Sequence, residues 1–123
     1  MLGWSRTVHH LEREVFVIHV NVSAVPPTPT AHSGGEKQVL LAKGIIPKIP
    51  QAALVTLIKT TDVHAHQTMW ECYYVLEGYS AYVIDGQEVH VQPGDFIAIP
   101  PGVPHCQVVN HPHKVLVWGV ALD

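Results

Sequence analysis

The hydrophobic residues of this chain fall in short runs instead of long periodic stretches. Runs rich in valine, isoleucine and tyrosine are separated by turn-forming residues, since 10 prolines and 9 glycines are scattered along the sequence. This pattern is typical of an all-β protein, because short strands bounded by turn residues produce it. No window keeps a helical period long enough to predict a helix. The predicted strands lie near residues 15–22, 39–43, 54–60, 71–76, 80–84, 88–91, 96–99, 105–109 and 115–120.

Three dipeptides predict tight turns between these strands. Glu77-Gly78 joins two strand-like runs. Asp85-Gly86 is the strongest hairpin signal, because a type I′ turn needs positive φ at both central residues. Pro101-Gly102 suits a type II turn, in which proline sets the first φ and glycine takes the positive one. Sequential hairpins of this kind close into a β-sandwich or a barrel.

The length of 123 residues fits a single folded domain. A connector rich in proline, threonine and glycine, residues 25–36, separates an N-terminal β arm from the body. We therefore divide the chain into an arm with its connector, residues 1–36, and one barrel domain, residues 37–123.

Composition and charge exclude several classes of function. Apolar residues make up 47% of the chain and charged residues 14%, which fits a folded globule. The net charge of −3, without any basic stripe, gives no support for binding nucleic acid or an anionic membrane. There is no convincing secretory signal and no apolar stretch long enough to span a membrane, so we expect a cytoplasmic protein. Two cysteines, Cys72 and Cys106, are too few for a disulfide framework and are predicted to be buried free thiols.

Histidine is abundant, with 10 residues, and the spacing of some of them predicts a metal site. His64 and His66 would leave the same face of an extended strand, so each can offer a nitrogen to one ion. Glu71 lies at an odd offset from His66, so the chain must turn or bulge within residues 67–70 to bring the carboxylate inward. His105 follows a predicted turn, at the start of another strand.

The chemistry of these four ligands limits the metal. Three neutral imidazoles and a carboxylate suit one divalent transition-metal ion per chain, which would be Mn, Fe, Co, Ni, Cu or Zn. They suit Ca and Mg poorly, because those ions prefer shells of oxygen ligands. Four protein ligands leave part of an octahedral shell open for water, dioxygen or substrate, as a catalytic site requires. Glu71, if it loosens from the ion, is the candidate catalytic base.

Two segments resemble the motifs of the cupin superfamily. The first motif, G-x5-H-x-H-x(3,4)-E-x6-G, is matched by His64, His66, Glu71 and Gly78, with Ile58 in place of the leading glycine. The second motif, G-x5-P-x-G-x2-H-x3-N, is matched by Gly94, Pro100, Gly102 and His105, with Asn110 one residue late. The resemblance implies a double-stranded β-helix (jelly-roll) barrel with the metal inside its mouth. It also implies a homodimer, in which the N-terminal arm is exchanged between subunits.

Residues that share a face with the ligands are expected to line a cavity for a small molecule. These residues are Tyr73, Val75, Gln107 and Val109. His111 and His113 repeat the spacing of His64 and His66, but their polar, proline-containing surroundings predict an exposed loop instead of a second metal site.

Three functions are compatible with such a site. The first is a metal-dependent dioxygenase, whose substrate would bind the metal in a mostly apolar cavity. The second is a non-redox isomerase, lyase or decarboxylase acting on a sugar or an organic acid, with the metal as Lewis acid. No lysine or arginine lies between His64 and Asn110, which disfavours a phosphorylated substrate unless Lys43 or Lys59 points into the mouth. The third is a non-catalytic protein that binds a metal or a small molecule. We rank the dioxygenase first.

Overall fold

The computed structural model describes residues 7–10 and 16–122. This part of the chain is built from β-strands and one 3-10 turn, Val22–Ala24, and contains no α-helix. It therefore also has no helix that could cross a lipid bilayer. The strands are β1 Thr7–His10, β2 Phe16–His19, β3 Thr28–Pro29, β4 Gly35–Leu41, β5 Ala52–Leu57, β6 Met69–Glu77, β7 Ser80–Ile84, β8 Gln87–Val91, β9 Phe96–Ile99, β10 His105–Val108 and β11 His113–Ala121. The all-β prediction is confirmed.

The strands form two sheets that enclose the core, and a third, smaller sheet near the N-terminus. The larger sheet has six strands in the order β3-β4-β5-β11-β6-β9, and the smaller has the order β10-β7-β8. Strands β1 and β2 pair with each other. The pairings within the sheets are antiparallel. Two antiparallel sheets packed face to face agree with the predicted jelly-roll fold.

Alternation along the strands sends apolar side chains into the space between the sheets. On β6, Tyr73 and Val75 are buried, whereas Tyr74 and Leu76 are exposed. Tyr82 of β7 meets Tyr73 from the opposite sheet, with ring centroids 5.5 Å apart. Removal of this apolar surface from water is the main force that holds the two sheets together.

The predicted turns have the backbone that their sequences require. Asp85 and Gly86 have φ of 51° and 79°, so both central residues of the β7–β8 turn are positive. Gly102, after Pro101, has φ of 81°. Gly78, with φ of 83°, lies so close to the chain before β11 that a Cβ would collide with the carbonyl oxygen of Pro112. Glycine is therefore needed at this turn for two separate reasons.

The connector differs from its prediction, because part of it belongs to the larger sheet. Strand β3 and the first residues of β4 lie within residues 25–36, and Thr28 pairs with Lys37. The predicted boundary at residue 37 therefore falls inside β4. The predicted strand 15–22 is shorter in the described chain, where β2 ends at His19; residue 15 itself lies outside the described residues. Exchange of the arm between two subunits stays a prediction.

Candidate metal centre

The structure brings the four predicted metal ligands together. One nitrogen or oxygen from each of His64, His66, Glu71 and His105 lies within 4.8 Å of the others. Opposite ligands of one ion are roughly 4 Å apart when each bond is about 2.1 Å long. The four side chains can therefore reach a single ion with small movements.

A bend in the chain brings Glu71 to the same side as the first two histidines. His64 and His66 precede β6, and the backbone bends at Gln67 and Thr68 before the strand begins at Met69. The bend compensates for the odd offset between His66 and Glu71. The turn predicted within residues 67–70 is thus present.

Backbone hydrogen bonds join the two stretches of chain that carry the ligands. The His64 N–H donates to the carbonyl of His105 at 3.0 Å, and the His105 N–H donates to the carbonyl of His64 at 2.8 Å. The N–H of Gly102 donates to the carbonyl of His66 at 2.7 Å. Because both segments are held at their backbones, the positions of the imidazoles do not depend on side-chain contacts alone.

Hydrogen bonds at Nδ1 leave Nε2 as the ligand atom in two of the histidines. Nδ1–H of His105 donates to the carbonyl of Val103 at 2.9 Å, and Nδ1–H of His64 donates to the carbonyl of Asp62 at 3.1 Å. Each bond fixes the orientation of its ring and the tautomer. Carbonyl partners of this kind are typical of histidines that bind metals.

Glu71 lies at the centre of the cluster. Its Oε1 is 2.9 Å from Nε2 of His105 and 3.7 Å from Nε2 of His64, and its Oε2 is 3.2 Å from Nε2 of His66. Burial alone would raise the pKa of Glu71. The hydrogen bonds that His105 and His64 donate from Nε2 when protonated, together with the one from the Tyr73 hydroxyl, outweigh burial. They hold the pKa well below its usual range. The carboxylate is therefore ionised and available to bind a cation.

The same negative charge acts on the neighbouring imidazoles. Burial lowers the pKa of His64, but hydrogen bonds to Glu71 and to the Asp62 carbonyl outweigh it and raise the pKa above its ordinary value. The centre thus attracts positive charge, either as a proton or as a metal ion.

One unpaired nitrogen shows that the residues fit a metal. Nε2 of His66 is buried and makes no hydrogen bond to a described residue, although Oε2 of Glu71 lies 3.2 Å away. An unsatisfied buried polar atom costs about 1–3 kcal/mol. An ion held by the other three ligands would accept the lone pair of this nitrogen and remove that cost.

A cavity of ≈ 250 Å³ adjoins three of the ligands. Its apolar wall includes Ala53, Val55, Leu57, Met69, Val115 and Val117. Tyr73 and Gln107 line it, as predicted. The hydroxyl of Thr61 donates to Oε1 of Gln107 at 2.6 Å, which holds the amide in place.

The prediction that Val75 and Val109 line the cavity is wrong. Both are buried, with only 1% and 6% of their surface exposed, and neither is among the residues of the cavity wall. They share a face with the ligands, but Val75 lies farther along its strand, where it packs against Tyr82 and Ile99 in the core. Alternation predicts the face of a strand correctly but not the depth at which the cavity ends.

A histidine that the sequence analysis did not include lies beside the centre. The ring of His32 stacks on the ring of His64, with centroids 3.7 Å apart and planes 9° apart, and it also lines the cavity. Burial, followed by the nearby imidazoles of His64 and His66, lowers the pKa of His32. A neutral ring stacked on His64 restricts the ligand to one orientation. No spacing rule relates His32 to the other histidines, because it comes from the connector.

His113 was predicted to lie in an exposed loop, and this is wrong. It is fully buried at the start of β11. Its Nε2 accepts a hydrogen bond from the Tyr82 hydroxyl at 2.7 Å, and its Nδ1–H donates to the carbonyl of Gly78 at 3.2 Å. His113 is therefore part of the core and not of the metal centre.

Cys72 and Cys106, each next to a ligand in sequence, are buried free thiols, as predicted.

The comparisons with known proteins agree with this architecture. The family model of the cupin domain matches residues 53–121, which include the four ligands and make up more than half of the chain. No curated protein matches the sequence significantly.

Solved structures show the same fold. A predicted oxalate decarboxylase from Thermotoga maritima has a TM-score of 0.77 and 24% identity, covering 85% of this chain and 99% of that one. KdgF from Halomonas sp. has a TM-score of 0.65 and 18% identity, covering 80% and 86%. The cupin domain of Cnp3 from Schizosaccharomyces pombe has a TM-score of 0.74 and 8% identity, covering 98% and 89%. At these identities the likeness concerns the fold, and together with the matched family it leads to one conclusion: this chain belongs to the cupin domain family.

Proposed function

We propose that this protein is a metalloenzyme that converts a small organic molecule. One divalent transition-metal ion would be held by His64, His66, Glu71 and His105. The observation that carries the proposal is the convergence of these four ligand atoms within 4.8 Å, beside a cavity of ≈ 250 Å³. Ligand pockets usually measure about 300–1,000 Å³, so this cavity suits a small substrate.

The bound ion would supply Lewis-acid or redox chemistry. The apolar wall excludes water from the substrate and strengthens electrostatic interactions at the centre. The hydroxyl of Tyr73 donates to Oε1 of Glu71 at 2.5 Å and favours the ionised carboxylate. Glu71 is the carboxylate placed to accept a proton from a substrate, once it loosens from the ion and from the imidazole hydrogen bonds that lower its pKa.

Dioxygenase-type chemistry is the first reaction class that we propose. Three imidazoles and one carboxylate accept redox-active ions such as iron, manganese or copper. The largely apolar cavity leaves room beside the ligands for an organic substrate.

A non-redox reaction on an organic acid, such as a decarboxylation, is the second candidate. The cavity contains a lysine, Lys37, which would attract a carboxylate. Lys43 and Lys59 are not among its lining residues. The structural relative from Thermotoga maritima is described as a predicted oxalate decarboxylase, which agrees with this class.

Metal content measured by plasma mass spectrometry tests the proposal. We expect about one transition-metal ion per chain in the purified wild type and far less in His66→Ala, because losing one of four ligands weakens chelation strongly. His90→Ala is the matched control, since this imidazole is exposed and lies 3.1 Å from a carboxylate oxygen of Glu88, away from the centre. Full metal content in His66→Ala would contradict the assignment.

Oxygen consumption distinguishes the two reaction classes. The metal-loaded protein would be incubated with a panel of hydroxy acids and oxo acids in an oxygen electrode. A redox-active metal together with substrate-dependent oxygen uptake supports the dioxygenase. Turnover of an acid without oxygen uptake supports the non-redox enzyme.

A further inference from the structure

We propose that Lys37 and Gln51 form a carboxylate-binding subsite in the cavity, opposite the metal ligands, and that the substrate is consequently a small organic acid. This inference rests on the proposed function, because the metal would hold the reacting part of the same molecule.

The strand register places the two side chains at the opposite side of the cavity from Glu71. The N–H of Gly119 donates to the carbonyl of Gln51, and Gly119 is the register partner of Glu71. Gln51 and Glu71 are therefore separated by β11. Two steps between neighbouring strands correspond to roughly 10 Å. A small molecule can span that distance between the metal ligands and Gln51.

Lys37 reaches the same end of the cavity from β4. Its backbone pairs with Val55 of β5, and its Nζ donates to Oε1 of Gln51 at 3.3 Å. Both side chains line the cavity. The hydrogen bond directs the ammonium group toward Gln51.

The charge of Lys37 has no opposite charge nearby within the described part of the chain. Among the described residues of the cavity wall, Lys37 is the only lysine or arginine, and Glu71 is the only acid. The carboxylate of Glu71 pairs with the imidazoles of the centre. No described carboxylate lies within ion-pair distance of Lys37. A partly buried cation without a counterion is unfavourable, so the subsite favours an anionic ligand.

The donors that remain match a carboxylate. An ammonium group has three N–H donors, and only one is directed to Gln51. The Gln51 amide contributes further N–H donors. One positive charge with several N–H groups suits a planar carboxylate, whereas a phosphate is usually held by arginine forks, several cations or a helix N-terminus. We therefore assign the carboxylate as the recognised group.

Calorimetric titration of the metal-loaded protein tests the subsite. The probes are dicarboxylates of increasing length, from malonate to adipate, and the monoamide of each one. We expect the wild type to bind the best-fitting dicarboxylate at least about tenfold more tightly than its monoamide, since hydrogen bonds to charged groups are the strong ones. In Lys37→Met this preference should fall to less than about twofold. Lys43→Met is the matched control, because Lys43 is exposed and outside the cavity wall, and it should keep the wild-type preference.

Metal content, measured in every variant, separates this inference from the proposed function. A preference that persists in Lys37→Met, or a wild type that binds neither probe or does not distinguish them, overturns the subsite. So does tighter binding of inorganic phosphate than of any dicarboxylate. In each case normal metal content leaves the proposed function intact. A Lys37-dependent preference that is equally strong in metal-free protein supports the subsite and contradicts the metal's part in holding the substrate.

Discussion

The buried contact between Tyr82 and His113 shows how one polar pair can connect two sheets. Tyr82 lies on β7 of the smaller sheet, and His113 lies on β11 of the larger one. The ring accepts a hydrogen bond at Nε2 and donates one at Nδ1, so both nitrogens are satisfied while the imidazole is neutral. Burial, only partly offset by backbone acceptors, lowers the pKa of His113 below its ordinary value. The native state therefore resists protonation of this side chain.

This pair predicts a stability that depends on pH. The unfolded chain binds a proton at His113 near pH 6.5, whereas the folded chain does not. The contribution of His113 to stability is therefore complete above about pH 6.5 and is lost as the pH falls below that value. At pH 8, His113→Gln should lower the free energy of unfolding by about 1–3 kcal/mol. Urea denaturation of the metal-free wild type and of the variant measures this difference in the free energy of unfolding. The difference should be smaller at pH 5.5 than at pH 8, and an equal difference at both pH values would contradict the proposed role of His113.

At the residue level, the sequence predicted which four side chains form the candidate metal centre, but not every residue around them. The spacing of His64, His66 and Glu71 along one strand and one bend determines that their side chains face the same point. His113 was mispredicted because Pro112 and a polar stretch precede it, which suggests a loop. Its partner Tyr82 is 31 positions away in sequence, so no local pattern reveals the contact. The stack of His32 on His64 also depends on tertiary packing. Local patterns cannot predict such contacts.

Among the elements, the turn between β6 and β7 is the most tightly constrained. Gly78 has positive φ, and it packs directly against the backbone that precedes β11. Gly86, in the β7–β8 turn, has a similar φ of 79°, but apart from its chain neighbours no atom of the described residues lies within 4 Å of the position where a Cβ would be. Substituting each glycine in turn therefore distinguishes the cost of a positive φ, common to both, from the cost of a steric collision, which applies only to Gly78.

We expect Gly78→Ala to destabilise the fold more than Gly86→Ala does. A left-handed backbone costs an L-residue roughly 1–2 kcal/mol, and this cost applies to both variants. Only Gly78→Ala adds a collision with the Pro112 carbonyl, which requires the backbone to shift. Chemical denaturation of both variants measures the difference, and equal free energies of unfolding would show that the close approach is unimportant.

Hydrophobic patterning predicted most strands, but the observed bounds only of β7 and β9. It failed in the connector, where β3 contains Thr28 and Pro29 and β4 begins at Gly35. Pro29 and Gly35 have weak strand preference, and the pairings of β3 with β4 and of β4 with β5 override it.

At the scale of the whole molecule, the candidate metal centre joins side chains from parts that are distant along the chain. Glu71 belongs to the larger sheet, His105 belongs to the smaller sheet, and His64 and His66 lie on the segment that leads into β6. A ligand that binds only the native arrangement stabilises the fold by mass action.

Removal of the metal should therefore lower the melting temperature of the wild type. The stabilisation amounts to about 2.7 kcal/mol when free metal is at 100 times its Kd. Thermal unfolding with and without a chelator measures this effect. His66→Ala should respond weakly to the chelator, and His90→Ala should respond like the wild type. An equal shift in His66→Ala would place the stabilising ion elsewhere.

The overall architecture could be predicted because the two motifs and the alternation of strands point to one fold. The shape of the cavity could not be predicted from the sequence. Its walls depend on the register of β4 against β5, which shifts between Val39 and Leu41, and this register places Lys37 opposite Val55. One residue of slippage would turn Lys37 to the other face of the sheet.

The reciprocal backbone hydrogen bonds between His64 and His105 have a consequence for metal uptake. They involve only backbone atoms, so they hold the chain positions of two imidazoles while leaving both rings free to bind an ion. Little ordering entropy then remains to be lost on coordination. An ion entering the candidate centre would accordingly require little rearrangement of the backbone that carries these two ligands.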